Sequence, residues 1–115
     1  MNKRETIVEY YRCFQDRDID GLRSLLTPNF RHSSSFAVFD DRDAMLEQIE
    51  PEIGKGWARD IQVFGGGDEF IARFVVDSTE RPSMRMAEYV RFEGDRIAEV
   101  ETYLGRTEAS SSEDT

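Results

Sequence analysis

Apolar residues recur at two different periods along the chain, and the change from one period to the other divides it. Ile7, Tyr10, Tyr11 and Phe14 fall at i, i+3, i+4 and i+7, the single stripe of a helix, while Arg4, Glu5, Glu9 and Arg12 lie mainly outside it. A polar break, Gln15-Asp16-Arg17-Asp18, follows, and Asp18 is placed to cap a second, shorter helix carrying Ile19, Leu22, Leu25 and Leu26, with Pro28 as its stop. Residues 29–39 alternate: Phe30, His32, Ser34 and Phe36 share one side, Arg31, Ser33, Ser35 and Ala37 the other, which predicts a strand. Asp40 and Asp41 then offer a cap to a third helix bearing Met45, Leu46, Ile49 and Ile53, with Pro51 as a kink and Gly54 and Gly56 as its end. From Trp57 onward the period is two. Strands are predicted over about 58–64, 70–78, 83–93 and 96–104, with Gly65-Gly66-Gly67 and Gly94-Asp95 as hairpin connections. Helices first and an antiparallel meander afterwards make an α+β fold. A strongly bent sheet of four to six strands around the first helix would bury both patterns.

Length and composition narrow this picture. At 115 residues the chain is expected to form one domain over 1–106, and 107–115, with one apolar residue among serines and acids, reads as a disordered tail. Fifteen basic against 24 acidic residues leave a net charge of −9, which repels phosphate backbones and argues against nucleic acid as a partner. No apolar run approaches the roughly 18–20 residues of a spanning helix, so no membrane partner is expected. Met1-Asn2-Lys3-Arg4-Glu5 leads directly into the amphipathic pattern without a secretory apolar stretch, and Cys13 is a lone cysteine; the expected compartment is the cytoplasm.

One residue violates the strand pattern. Met84, Met86, Val90 and Phe92 occupy one face of their strand, Arg85, Tyr89 and Arg91 the other, and Glu88 points with the methionines. A carboxylate there must be paired, wet or protonated, since desolvation disfavours its charged form. It is either an arginine-paired or edge glutamate, or a functional acid expected to titrate above an ordinary glutamate. In the next strand Ala98, Val100, Thr102 and Leu104 make an apolar face, with Glu99 and Glu101 opposite. His32, the single histidine, alternates with Phe30 and Ser34 and faces the same interior, as a core histidine or as a base. Tyr10 is a core tyrosine with a marginal hydroxyl or a hydrogen-bond donor to a ligand. Asp16-Arg17-Asp18-Ile19-Asp20-Gly21 copies half of a calcium loop, but Thr27 stands where a bidentate glutamate is required. Gly65-Gly66-Gly67 precedes a strand, so no helix dipole backs a phosphate there. One histidine and one cysteine do not make a zinc site. No cofactor or metal is implied.

The order of these pieces resembles the SnoaL-like branch of the nuclear-transport-factor-2-like superfamily, which also holds the ketosteroid isomerases and scytalone dehydratases. The resemblance spans about 5–106. It is carried by Ile7-Val8-Glu9-Tyr10-Tyr11-Arg12-Cys13-Phe14, Asp18-Ile19-Asp20-Gly21-Leu22, Leu25-Leu26-Thr27-Pro28-Asn29-Phe30-Arg31-His32 and Glu88-Tyr89-Val90-Arg91-Phe92-Glu93-Gly94-Asp95-Arg96-Ile97. It implies a cone-shaped, cystatin-like α+β barrel: a curved, mostly antiparallel sheet around a long N-terminal helix, with two further helices. It also implies an apolar pocket and a homodimer through the outer sheet face. Tyr10 resembles the tyrosine that donates to the substrate oxyanion in ketosteroid isomerases, and Glu88 falls where those enzymes keep a neutral aspartic acid. Their aspartate base would fall at Ser34, which cannot take a proton alone at neutral pH. His32, two residues earlier on the same face, replaces it as the expected base, a departure that points away from steroid isomerisation itself.

Two functions follow as expectations. One is an enzyme of proton transfer, an isomerase, cyclase or dehydratase acting on a small apolar carbonyl or hydroxyl compound. Its catalytic residues would be Tyr10, His32 and Glu88, and Phe14, Phe30, Ser34, Trp57, Met86, Val90, Val100 and Thr102 would line the ligand. The other is a non-catalytic ligand-binding or dimeric partner module of the same fold.

Overall fold

A computed structural model describes residues 1–107 of the chain. Helix α1 (Lys3–Gln15) opens it, followed by α2 (Ile19–Leu25), β1 (Leu26–Ser33), β2 (Val38–Phe39), α3 (Arg42–Ile49), β3 (Gly56–Gly66), β4 (Glu69–Ser78), β5 (Met84–Glu93) and β6 (Arg96–Thr107). Thr107, the first residue of the expected tail, belongs to β6 instead; the rest of that expected tail, 108–115, lies outside the described residues.

Each helix starts at a side-chain cap. Asn2 accepts from the Glu5 amide while Glu5 reaches back to the Asn2 amide, a capping box. Asp18 accepts from Gly21 N and Asp41 from Ala44 N, as the acidic positions predict. The ends differ from expectation. Helix α2 stops at Leu25, and Pro28 is the third residue of β1 rather than a helix terminator. It sits where the β1–β6 register shifts, between Leu26↔Ile97 and Arg31↔Glu99, an irregularity that tolerates a residue without an amide proton. Helix α3 ends at Ile49, with Glu50 as its C-cap still in helical geometry and its amide donating to Leu46 O, and the chain passes through Pro51 into a turn. Ile53 is buried as expected, but by the turn after the helix, where its amide donates to Ile49 O at 3.2 Å.

Six strands form one sheet in the order β2-β1-β6-β5-β4-β3. Only β1 and β6 run parallel; the other pairings are antiparallel. The strand expected over 29–39 is a hairpin: β1 ends at Ser33, the chain turns, and β2 returns with Phe39 opposite His32. Ser34 builds that turn, its hydroxyl accepting from the Phe36 and Ala37 amides at 3.2 and 3.4 Å. The alternation of Phe and Ser runs through the turn, so the pattern alone hides it. Glycine turns join the later strands at Gly67-Asp68, one step beyond the expected centre, and at Gly94-Asp95. Register shifts at Arg59/Gln62 in β3 and Arg91/Phe92 in β5 add local twist and curl the sheet.

Helix α1 packs against the inside of this curved sheet. Ile7, Tyr10, Tyr11 and Cys13 are buried, joined by Leu22, Leu26, Phe30, Met45, Leu46, Phe70, Phe74, Val90, Ile97 and Val100 in one core. Each fully buried side chain of this size contributes roughly 1.5–3 kcal/mol. The N-terminal turn of α1 is tied to the β3–β4 hairpin: Lys3 pairs with Asp68 at 2.8 Å, and Arg4 donates to Val63 O and to Gly65 O. No helix among the described residues is long and apolar enough to cross a membrane.

Candidate active site

Between α1 and the sheet lies an open cavity of about 490 Å³. Phe14, Trp57, Phe74, Val76, Met84, Met86 and Leu104 make most of its wall apolar. Exposed Glu52, Lys55, Glu80 and Arg81 add charge, with Lys55 paired to Glu52 at 3.2 Å and Glu80 at 3.9 Å.

Four side chains in that wall are joined in sequence. The Tyr11 hydroxyl donates to Glu88 Oε1 at 2.7 Å. The Thr102 hydroxyl donates to Glu88 Oε2 at 2.5 Å. The His32 Nε2 atom lies 3.0 Å from Thr102 Oγ1. The fold explains the meeting. Glu88 and Thr102 are cross-strand partners on the inner face of β5 and β6, and His32 in β1 is opposite Val100, two residues along β6 from Thr102. Tyr11 reaches them from α1, where its ring also packs 4.6 Å from that of Phe74.

Burial sets the electrostatics. Glu88 is only 6% exposed, and desolvation pushes its carboxyl above the ordinary glutamate range, partly offset by the hydrogen bonds from Thr102 and Tyr11. Burial holds His32 below the usual histidine value. Tyr10 is pushed well above the ordinary tyrosine range, by desolvation first and by the nearby Glu88 charge second, so its hydroxyl stays protonated. Tyr11 is raised for the same two reasons. Cys13 is pushed up to about 11 by burial and packs as a small hydrophobe.

Thr27 Oγ1 is the one sealed-off side-chain oxygen or nitrogen without a partner among the described residues. Tyr10, almost wholly buried, and the partly buried His32 both line the cavity.

The expected triad of Tyr10, His32 and Glu88 thus shares one cavity wall, and Phe14, Ser34, Trp57, Met86 and Thr102 line it too. Phe30, Val90 and Val100 do not; all three are fully buried in the core. Val90 and Val100 pair with each other two residues beyond Glu88 and Thr102, on the side of the Gly94 turn, where the cone has already closed around packed side chains. Ser34 is occupied with its turn. Tyr11 lies on the predicted helix stripe but is not among the residues expected at the site. Two tyrosines in succession on that stripe were the available signal, since both face the sheet.

The SnoaL-like domain family model matches residues 7–100. The chain belongs to the SnoaL-like family. Solved structures share its fold at low identity. An NTF2-like protein of unknown function from Cytophaga hutchinsonii is 11% identical, with 91% of each chain covered and a TM-score of 0.80. A candidate polyketide cyclase from Pseudomonas putida is 19% identical over 91% of this chain and 92% of that one, with a TM-score of 0.77. A candidate ketosteroid isomerase from Kribbella flavida is 10% identical over 91% of this chain and 78% of that one, with a TM-score of 0.78. At such identities the likeness concerns the SnoaL-like fold alone. A search of curated proteins returned no match.

Proposed function

We propose that this SnoaL-like chain is a cofactor-independent enzyme of proton-transfer chemistry. Its substrate is a small, largely apolar compound bearing a carbonyl or hydroxyl group, and the reaction is of the isomerase, cyclase or dehydratase type. The observation that carries this reading is the hydrogen-bonded set of Tyr11, Glu88, Thr102 and His32 in the wall of an otherwise apolar cavity. A ligand carrier needs the cavity but not four linked polar groups, each costly to bury. The names of the structural relatives, a cyclase and an isomerase, lie in the same class of chemistry.

In this mechanism His32 takes a proton from the carbon next to the substrate carbonyl, at Nδ1, the nitrogen not engaged by Thr102. The Tyr10 hydroxyl, held protonated by burial, donates to the carbonyl oxygen as it becomes an enolate. Both Glu88 oxygens are engaged, by Tyr11 and Thr102, so Glu88 acts through its neighbours rather than as the direct oxyanion donor expected from its position. A homodimer through the outer sheet face belongs to the same proposal.

Proton–deuterium exchange tests it without the natural substrate. Cyclic ketones such as β-tetralone are first shown to bind in the cavity by their effect on the Trp57 signals. Exchange at the ketone α-carbon is then followed in deuterated buffer. Native protein is expected to accelerate it by about 10²-fold or more. His32→Gln should abolish the acceleration and Tyr10→Phe remove most of it, both with ligand affinity nearly kept. Ketones that occupy the cavity yet exchange no faster than in buffer would make the protein a ligand-binding module.

A further inference from the structure

Thr102 has one hydroxyl proton and two neighbours that compete for it. If Glu88 is ionised, Thr102 donates to Oε2 at 2.5 Å, and the 3.0 Å contact to His32 is a hydrogen bond only if Nε2 carries the proton. If Glu88 holds its own proton on Oε2, it donates to Thr102 Oγ1. Thr102 then donates to an unprotonated Nε2, and the proton of His32 sits on Nδ1. The two arrangements use the same heavy atoms at the same distances and differ only in where protons lie.

We infer that Thr102 is the relay between Glu88 and His32, so that the proton His32 collects at Nδ1 is stored on Glu88 and His32 stays neutral. This rests on the acid–base reading above. The step balances. The substrate C–H proton passes to Nδ1, its electron pair staying as the enolate. The Nε2 proton passes to Thr102 Oγ1, and the Thr102 hydroxyl proton passes to Glu88 Oε2. Negative charge leaves the carboxylate and appears on the substrate, so the buried site carries one negative charge before and after. The alternative, an imidazolium beside a carboxylate and an enolate, would add two charges to a wall where burial disfavours each of them. The relay also resolves a tension in the site. Burial makes His32 a poor holder of charge, yet it is the base best placed to reach the cavity. A residue that only exchanges one tautomer for the other needs no high proton affinity of its own.

The groups that face this relay are few. Tyr10 and Tyr11 approach Glu88 from α1, Thr102 from β6, and His32 from β1 through Thr102. Exposed Glu52, Lys55, Glu80 and Arg81 line the same cavity, and no other ionisable group among the described residues does. Through the relay Glu88 and His32 would titrate as a coupled pair.

His32 is the only histidine in the sequence, so its imidazole nitrogens give one unambiguous signal set. The test is a pH series on ¹⁵N,¹³C-labelled protein without ligand, reading the His32 tautomer and the Glu88 carboxyl together. As pH falls, His32 is expected to change from the Nε2–H to the Nδ1–H tautomer with the same midpoint as Glu88 protonation, remaining neutral through that step. Thr102→Val should uncouple the two, leaving Glu88 titrating and the tautomer unmoved, while Thr102→Ser keeps the switch. Should Thr102→Val not fold, the native protein and Thr102→Ser still decide. A native His32 that becomes imidazolium while Glu88 stays ionised, or that keeps one tautomer throughout the Glu88 titration, overturns the relay. So does a switch that survives in Thr102→Val. Thr102→Val should also slow ketone exchange by about 100-fold with ligand affinity unchanged. The readouts separate the two proposals: a switch without ketone exchange supports the relay and removes the enzyme, and exchange with a fixed tautomer removes the relay and leaves the enzyme.

Discussion

The residue on which the site turns is Glu88, and its burial makes a thermodynamic prediction independent of any activity. Its carboxyl titrates above the ordinary glutamate range because it is desolvated. The folded state thus holds this proton more tightly than the unfolded chain does. Its contribution to stability is fully present below the unfolded value, is lost as pH rises towards the folded value, and then levels off. Glu88→Gln removes that dependence while keeping an oxygen and an amide for Tyr11 and Thr102. Thermal melts of both proteins across the acid-to-neutral range should show the variant gaining on the native protein as pH rises, ending equal or more stable at neutral pH. Parallel curves would mean that Glu88 is an ordinary, solvated carboxylate. This residue was legible before any coordinates, because a charged side chain among Met86, Val90 and Phe92 breaks a period-two pattern that leaves no other place for it. Its partners were not legible. Tyr11 lies 77 positions away, and its meeting with Glu88 depends on how α1 is rotated over the sheet, which a helical stripe fixes only to about one residue in width.

At the scale of elements, caps and turns dictate more than propensity does, and the two glycine hairpins differ in a way that substitution can measure. Gly94 has φ 62° and open space where a Cβ would be, so alanine there suffers only the left-handed backbone, about 1–2 kcal/mol. Gly65 combines φ 117° with a Glu69 carbonyl oxygen 2.5 Å from the site of a Cβ. Gly65→Ala should therefore destabilise more than Gly94→Ala in urea unfolding, and equal losses would show that the β3–β4 hairpin relaxes around the new methyl. These turns were readable from glycine placement, although the triple-glycine run left its centre one residue uncertain. The β1–β2 hairpin was not readable, since Ser34 turns the chain with its side chain and Phe36 preserves the alternation beyond it. The same ambiguity placed Phe30 in the pocket, because it shares the inner face with His32 and the strand pattern does not say where along that face the cone closes.

At the scale of the molecule, the face of the sheet turned away from α1 is where a second copy is expected. Phe64, Ile71, Tyr89 and Glu101 are successive cross-strand partners from β3 to β6, so they form one row. Glu88 and Ala72 point inward, which turns their neighbours Tyr89 and Ile71 outward. Phe64 is 52% exposed, Ile71 42%, and Tyr103 in the adjoining row 54%. The polar groups around them are already engaged within the sheet, Tyr89 with Glu69 at 2.7 Å and Arg91 with Glu99 at 3.1 Å. Covering Phe64 and Ile71 would therefore bury apolar surface, which is what the centre of a homodimer interface requires, with the Glu101 carboxylate of the same row kept at its polar rim. Opposing this is the net charge of −9 on each chain, a repulsion that added salt screens. Association is thus expected to strengthen from low to high salt, the reverse of an interface held by ion pairs. Light scattering at micromolar concentration should return twice the chain mass, more completely in salt. Ile71→Glu should return the single-chain mass with the fold intact, since that side chain is already half in water. A native protein that stays at the single-chain mass under both conditions would leave this row as exposed surface.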